Sequence, residues 1–358
     1  MVTSNAGACV LCLINKVSLA RSSYEFNIIL DRFSLEILPK INDKIERLSI
    51  ESSFIERILL VTNYPNLHAL DLYEFEPEAA STLFQDGSNL VNQFQNHISS
   101  IIIKLKPRKQ PIDALGYTTQ DNNIFIFLSI CILFKNLRYL NFSSYCNYEQ
   151  LAYLSTAPIE FSSNLLELHV VVKNIFDCLC LLDGQFNQLH TFYVTIRPYN
   201  RCDGNIVGNH KQLPNLKYFS LIHEDGTYVY DDILVPLFQR MANLEELSLY
   251  FISMHGPIID GDNLENNIIN HMAGLDKFTF NICSVICLDQ LINVPLNEDI
   301  KYSFRNFQNN QIISRVDYFS RRKLLYPGRT LRRPDTIVND RKWQRILPFC
   351  NVSDRKAP

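Results

Sequence analysis

Cys9 and Cys12 stand at CxxC spacing, which is half of a four-ligand zinc centre because two thiolates three residues apart can close on one tetrahedral ion. No second pair and no nearby histidine completes the set, and the eight histidines of the chain are spread without metal-ligand spacing. "DGDNLEN" from Asp260 begins like a calcium loop, but Leu264 occupies a ligand position and no glutamate stands at the twelfth, so it reads as a helix N-terminus. Neither a glycine-rich phosphate loop nor an HExxH or GxSxG motif occurs, and only 11 of 358 residues are glycine. The sequence therefore predicts no metal site, no cofactor, no catalytic residue and no enzymatic activity.

Charge points elsewhere. The stretch from Arg321 to Arg345 carries nine Lys or Arg against Asp335 and Asp340, a local charge of +7 in a chain whose net charge is −3. A basic run with Tyr326 and Trp343 available to stack could contact nucleic acid or direct nuclear import. Most such runs are solvated, and no nucleic-acid fold surrounds this one, so nucleic acid is the lesser reading. The longest apolar run, Ile124 to Phe134, is shorter than the roughly 18 to 20 residues of a spanning helix and is expected to be a buried helix, with no membrane association. With no basic secretory leader, the expected compartment is cytoplasmic or nuclear, where cysteines such as Cys178 and Cys180 are free core thiols.

The elements that would position any site follow from a repeat. The pattern apolar, two free, apolar, one free, apolar begins at Ile45, Leu67, Ile98, Leu137, Leu165, Leu189, Leu216, Leu244 and Leu275, with a mean spacing of about 29 residues. Asn66, Asn136, Asn164, Gln188, Asn215, Asn243 and Gly274 directly precede seven of these nine. Asn and Gly tolerate the left-handed conformation that stops helices, so a helix is expected to end there and a short strand to follow.

Between the strands, "NIFDCLCLLDG" has Asn174 as helix N-cap and Gly184 as stop. "YDDILVPLFQRMAN" places Asp231 and Asp232 at a helix start, with Pro236 forcing a kink or a late start. In "GDNLENNIINHMAG" Leu264, Ile268 and Met272 line one face. A strand and helix of this size cannot bury their apolar faces alone, so successive units must stack.

The strings "LDRFSLEILPKINDKIERLSI", "DCLCLLDGQFNQLHTFYV", "LPNLKYFSL", "VPLFQRMANLEELSLYF" and "INHMAGLDKFTFNI" resemble divergent F-box/leucine-rich-repeat-like proteins over about residues 28 to 320. The resemblance implies an α/β leucine-rich-repeat-like solenoid, with a curved parallel sheet on the concave side and helices on the convex side. It also implies substrate recognition within an SCF-type ubiquitin ligase, with a Skp-type adaptor and a cullin as partners. The F-box itself is not visible before the first strand, so the alternative is a binding scaffold unconnected to ubiquitin ligation, with nucleic-acid contact through the basic tail. The ladder position of the full consensus holds Phe75, Tyr145, Lys173, Arg197, Glu224 and Ile252 rather than Asn or Cys, so a side-chain ladder is expected to be missing. The expected organisation is an N-terminal cap over 1–40, the repeats over 41–290, a helical C-terminal cap over 291–320 and the basic tail over 321–358.

Function is expected on the concave sheet face, where the third, fifth and seventh repeat positions point outward and a protein partner would dock. Tyr73, Tyr139, His169, Tyr193, Tyr218, Glu246 and Tyr250 are the predicted partner-binding residues, set among Arg47, Asp71, Lys104, Asn141 and Lys277. Tyrosine offers large contact area, a polar tip and little entropy to lose, which suits it to interfaces.

Overall fold

A four-residue turn leads into one strand after another. The N–H groups of Leu67, Leu137, Leu189, Leu216, Leu244 and Leu275 donate to the carbonyls three residues earlier, those of Tyr64, Phe134, Phe186, Leu213, Met241 and Met272. The Asn, Gln or Gly predicted to stop a helix is the third residue of this turn. None of Asn66, Asn136, Asn164, Asn215, Asn243 or Gly274 has a positive φ; among the described residues only Glu74 does outside glycine. The left-handed helix stop is thus replaced by a turn, which needs no such conformation.

The computed structural model describes residues 2–5, 8–13, 23–106, 118–144, 150–151, 164–183, 186–197, 212–224, 226–254, 256–287, 296–307, 311–320 and 342–351. Tyr145, Gly184, Tyr326 and, of the basic tail, residues 321–341 and 352–358 lie outside them. The chain divides into two units, Met1–Leu189 and His190–Pro358.

The first unit contains β1 (Val2–Asn5), β2 (Ala8–Leu13), α1 (Ser23–Arg32), β3 (Ile45–Glu51), β4 (Ala69–Phe75), α2 (Pro77–Leu83), α3 (Asn89–Phe94), β5 (Ser100–Leu105), α4 (Thr118–Leu133), β6 (Tyr139–Ser144), β7 (Glu167–Val172) and α5 (Ile175–Leu182). After an antiparallel β1–β2 pair, β2 to β7 pair in parallel and in chain order. Parallel neighbours require a crossover between them, and α2, α3 and α4 supply it where they intervene. Cys9 and Cys12 lie in β2. The apolar run from Ile124 forms the second half of α4; Ile126, Phe127 and Ile130 are buried, whereas Phe125 and Ile132 are exposed.

The second unit holds β8 (Thr191–Ile196), β9 (Tyr218–His223), α6 (Val235–Gln239), β10 (Glu246–Ser253), α7 (Gly261–Asn267), β11 (Lys277–Cys287), α8 (Asn297–Ser303), β12 (Gln311–Ser320) and β13 (Lys342–Asn351). Strands β8 to β11 are parallel in chain order, and β13 then β12 add to β11 in antiparallel fashion. Among the described residues of the expected helical cap only Asn297–Ser303 is helix, and Gln311–Ser320 is a strand. Pro236 delays α6, which a wide π-turn over Tyr230–Leu234 precedes, and Asp260 caps α7 by accepting from the Asn263 N–H at 2.9 Å.

Every apolar position of the nine triads is buried except Phe278. That residue precedes Asn281, where β13 begins to pair with β11. Each fully buried Leu, Ile or Phe contributes about 1.5 to 3 kcal/mol, so the triads supply much of the offset to chain entropy. Aromatic rings fill the space behind the strands, as in Phe84 with Phe134 at 6.1 Å, Phe192 with Phe219 at 5.8 Å and Phe280 with Phe304 at 5.9 Å.

The expected absence of a side-chain ladder is corrected by the structure, which has one at the start of the strands. Asn66, Asn136, Asn164 and Asn243 donate through Nδ2 to the carbonyls of Asp43, Asn96, Lys135 and Pro214, at 2.5, 2.7, 2.8 and 2.9 Å. Each acceptor stands one residue before the equivalent position of the preceding repeat. The backbone adds a parallel ladder: in the second unit the carbonyls of His190, Lys217 and Glu245 each accept two consecutive N–H groups from the next repeat.

Candidate functional site

Alternation in the strands leaves one sheet face open, and the predicted residues divide between the two units. In the first unit the register aligns Arg47, Ala69, Ser100, Tyr139 and Glu167 in one row across β3 to β7, with Ser49, Asp71, Ile102, Asn141 and His169 in the next. Asp71, expected to be exposed, is buried at 5%. The Arg47 guanidinium lies over it with Nε 3.0 Å from Oδ2, and Ser49 donates its hydroxyl to the same oxygen at 2.6 Å. The hydrogen bond to Asp71 raises the Arg47 pKa further above its already high value.

Tyr139 is half-buried, its ring 5.4 Å from that of His169, and burial raises its phenol pKa. His169 Nε2 is 2.7 Å from Glu167 Oε1. Tyr73, also half-buried, lies beneath the Lys104 ammonium, 5.6 Å from ring centroid to Nζ. Ions and aromatic groups are interleaved on this face, and the aromatic groups are only partly open.

The second unit differs. Tyr193, Tyr218 and Tyr250 are exposed at 42%, 36% and 49%, and Ile222 joins them at 38%. Register sets Tyr218 beside Glu246, Tyr193 beside Ser220, and Ile222 beside Tyr250. Ser220 and Ser248 thus form a row of small side chains, with Tyr218 and Glu246 on one side and Ile222 and Tyr250 on the other. Charges near this face are paired: Glu246 with Lys277 at 3.2 Å, Glu245 with Lys217 at 2.8 Å, and Arg197 with Glu224 at 2.7 Å. The hydrogen bond from Lys217 holds the Glu245 carboxyl below its usual range.

Ile222 was missed by sequence reasoning because the search for outward positions favoured polar and aromatic types. Its signal was available, since it is the seventh position of the repeat that begins at Leu216. An aliphatic residue held exposed among three tyrosines is the kind of contiguous apolar patch that marks interaction surfaces.

Among the described residues no cluster of three or more His, Cys, Asp or Glu side chains could hold a metal ion, and no helix is long and apolar enough to cross a membrane. No family model matches the chain, and no curated protein or solved structure matches it.

Proposed function

We propose that this chain is a non-enzymatic recognition protein, a leucine-rich-repeat-like solenoid that binds a protein partner on its open sheet face. By the resemblance of its strings, its role is substrate recognition in an SCF-type ubiquitin ligase. The observation that carries the reading is the exposure of Tyr193, Tyr218, Ile222 and Tyr250 on one face of β8 to β10. Partly solvated tyrosine rings add little to a sheet's own stability, whereas a partner that covers them removes apolar area while leaving each hydroxyl a hydrogen-bonding tip. The paired charges around the rings support the same reading, since partly exposed ions already satisfied within the chain do not require a charged ligand.

The test is affinity capture of the full chain from its native cells, beside the variant in which Tyr193, Tyr218 and Tyr250 are all Ala. Loss of specific proteins from the variant, with unchanged circular dichroism, is the expected result. An unchanged set of captured proteins would put the site elsewhere. A Skp-type adaptor and cullin captured by both forms would support the ligase role, and their absence beside a tyrosine-dependent partner would make the chain a scaffold without a ligase.

A further inference from the structure

The segments just before β5, β6, β7 and β8, all within the first unit, line a surface cavity of about 580 Å³ with Ser99, Asn136, Arg138, Asn164, Leu166 and Gln188. It is built by the repeat itself. Ser99, Arg138 and Leu166 come just before β5, β6 and β7, Asn136 and Gln188 are the third residues of turns, and Asn164 directly precedes Leu165. It lies at the strand starts, and none of its lining residues belongs to the tyrosine face of the second unit.

Its hydrogen-bonding inventory is unequal. Asn136 spends Nδ2 on the Asn96 carbonyl, which leaves Oδ1 as an acceptor. Ser99 donates its hydroxyl proton to the His68 carbonyl at 3.3 Å and likewise retains acceptor capacity. Arg138 is exposed, and its guanidinium has no ion-pair or hydrogen-bond partner among the described residues. Among the described residues no carboxylate lines the cavity.

This wall suits a group that carries an anion for Arg138 and, next to it, hydrogen-bond donors for Asn136 and Ser99. A phosphate meets the first demand, but any hydroxyl it keeps at neutral pH sits on the charged group itself, so it brings no donor alongside. A peptide's C-terminal carboxylate meets both, since its two oxygens match the guanidinium fork and the preceding amide N–H groups lie alongside. We propose that this cavity binds the terminal carboxylate of a peptide chain, with Arg138 as its anion-binding residue.

The experiment is isothermal titration calorimetry of the full chain with N-acetyl-glycyl-glycine, its C-terminal amide and inorganic phosphate. Saturable binding of the acid, at least about tenfold weaker binding of the amide, and a similar loss in Arg138→Gln would bear the proposal out. Absence of saturable heat with the acid, or equal binding of acid and amide, would overturn it. Phosphate binding as tight as that of the acid would also overturn it, by showing a general anion site. The acid-to-amide comparison is made on the unmodified chain and does not depend on any variant folding.

Discussion

Asn243 donates from its side-chain amide to the carbonyl oxygen of Pro214, 2.9 Å away and 29 residues earlier. The same bond joins Asn164 to Lys135, also 29 residues earlier, and Asn136 to Asn96, 40 residues earlier, so one residue type at one position ties several strand starts to the repeat before them. An amide suits this place. It donates to a main-chain carbonyl without a charge, and Asn is short enough to do so from within the turn.

Asn243→Asp should therefore destabilise the protein by about 1 to 3 kcal/mol at neutral pH. The variant loses the donor and sets a carboxylate against a carbonyl oxygen. Asn243→Ala should cost less, about 0.5 to 1.5 kcal/mol, because it only removes the bond. Urea denaturation of both variants checks the order, and an Asp variant as stable as wild type would show that the bond contributes nothing.

Which parts of this were legible in the sequence follows from what kind of signal each needs. The triads were legible because burial selects apolar types at fixed spacing, and all but Phe278 are buried. The helix starts at Asn174 and Asp260 were legible because N-capping is local chemistry, and both accept the expected N–H. The ladder was not: Asn also favours helix stops, and only the neighbouring repeat reveals that its side chain reaches back. Asp71 was misplaced because its burial depends on Arg47 in another strand, 24 residues earlier. The strand at Gln311–Ser320 was read as helix because its partner, β13, is far along the chain.

Gly261 opens α7 where that helix meets α8. Its N–H donates to the Ser303 hydroxyl at 2.8 Å, and a Cβ at this position would meet the Ser303 carbonyl and come within 2.7 Å of Phe304 Cα. Both obstacles are backbone and cannot swing aside. Gly261→Ala should cost about 1 to 3 kcal/mol and lower the thermal midpoint, although Ala is the better helix former. An unchanged or raised midpoint would mean that α8 does not pack against α7 in solution.

Leu247 sits in the second triad position of β10, 1% exposed, with Phe219 and Phe278 as its register partners on the flanking strands. Leu247→Ala should cost about 2 to 5 kcal/mol in chemical denaturation. Tyr250→Ala in the same strand, on the open face, should change stability by no more than about 0.5 kcal/mol. The contrast between the two variants tests which face of β10 is buried, and a reversed order would overturn the register.

His223 ends β9 on the core side, 7% exposed, and its Nδ1 is buried without a hydrogen-bond partner among the described residues. Burial pushes its pKa down to about 4 from an ordinary value of 6.5. The folded state thus holds the neutral ring at pH values where the unfolded chain already binds a proton. Its contribution is full above about pH 6.5 and is lost progressively as pH falls towards 4, on the order of 3 kcal/mol in all. Asp260 opposes this trend, because burial raises its pKa and protonation then favours the folded state. The comparison must therefore be made against a variant rather than on wild type alone. His223→Leu should lose markedly less stability than wild type between pH 7 and pH 5 in urea titrations. Equal losses in the two proteins would show that the ring is hydrated or paired in solution.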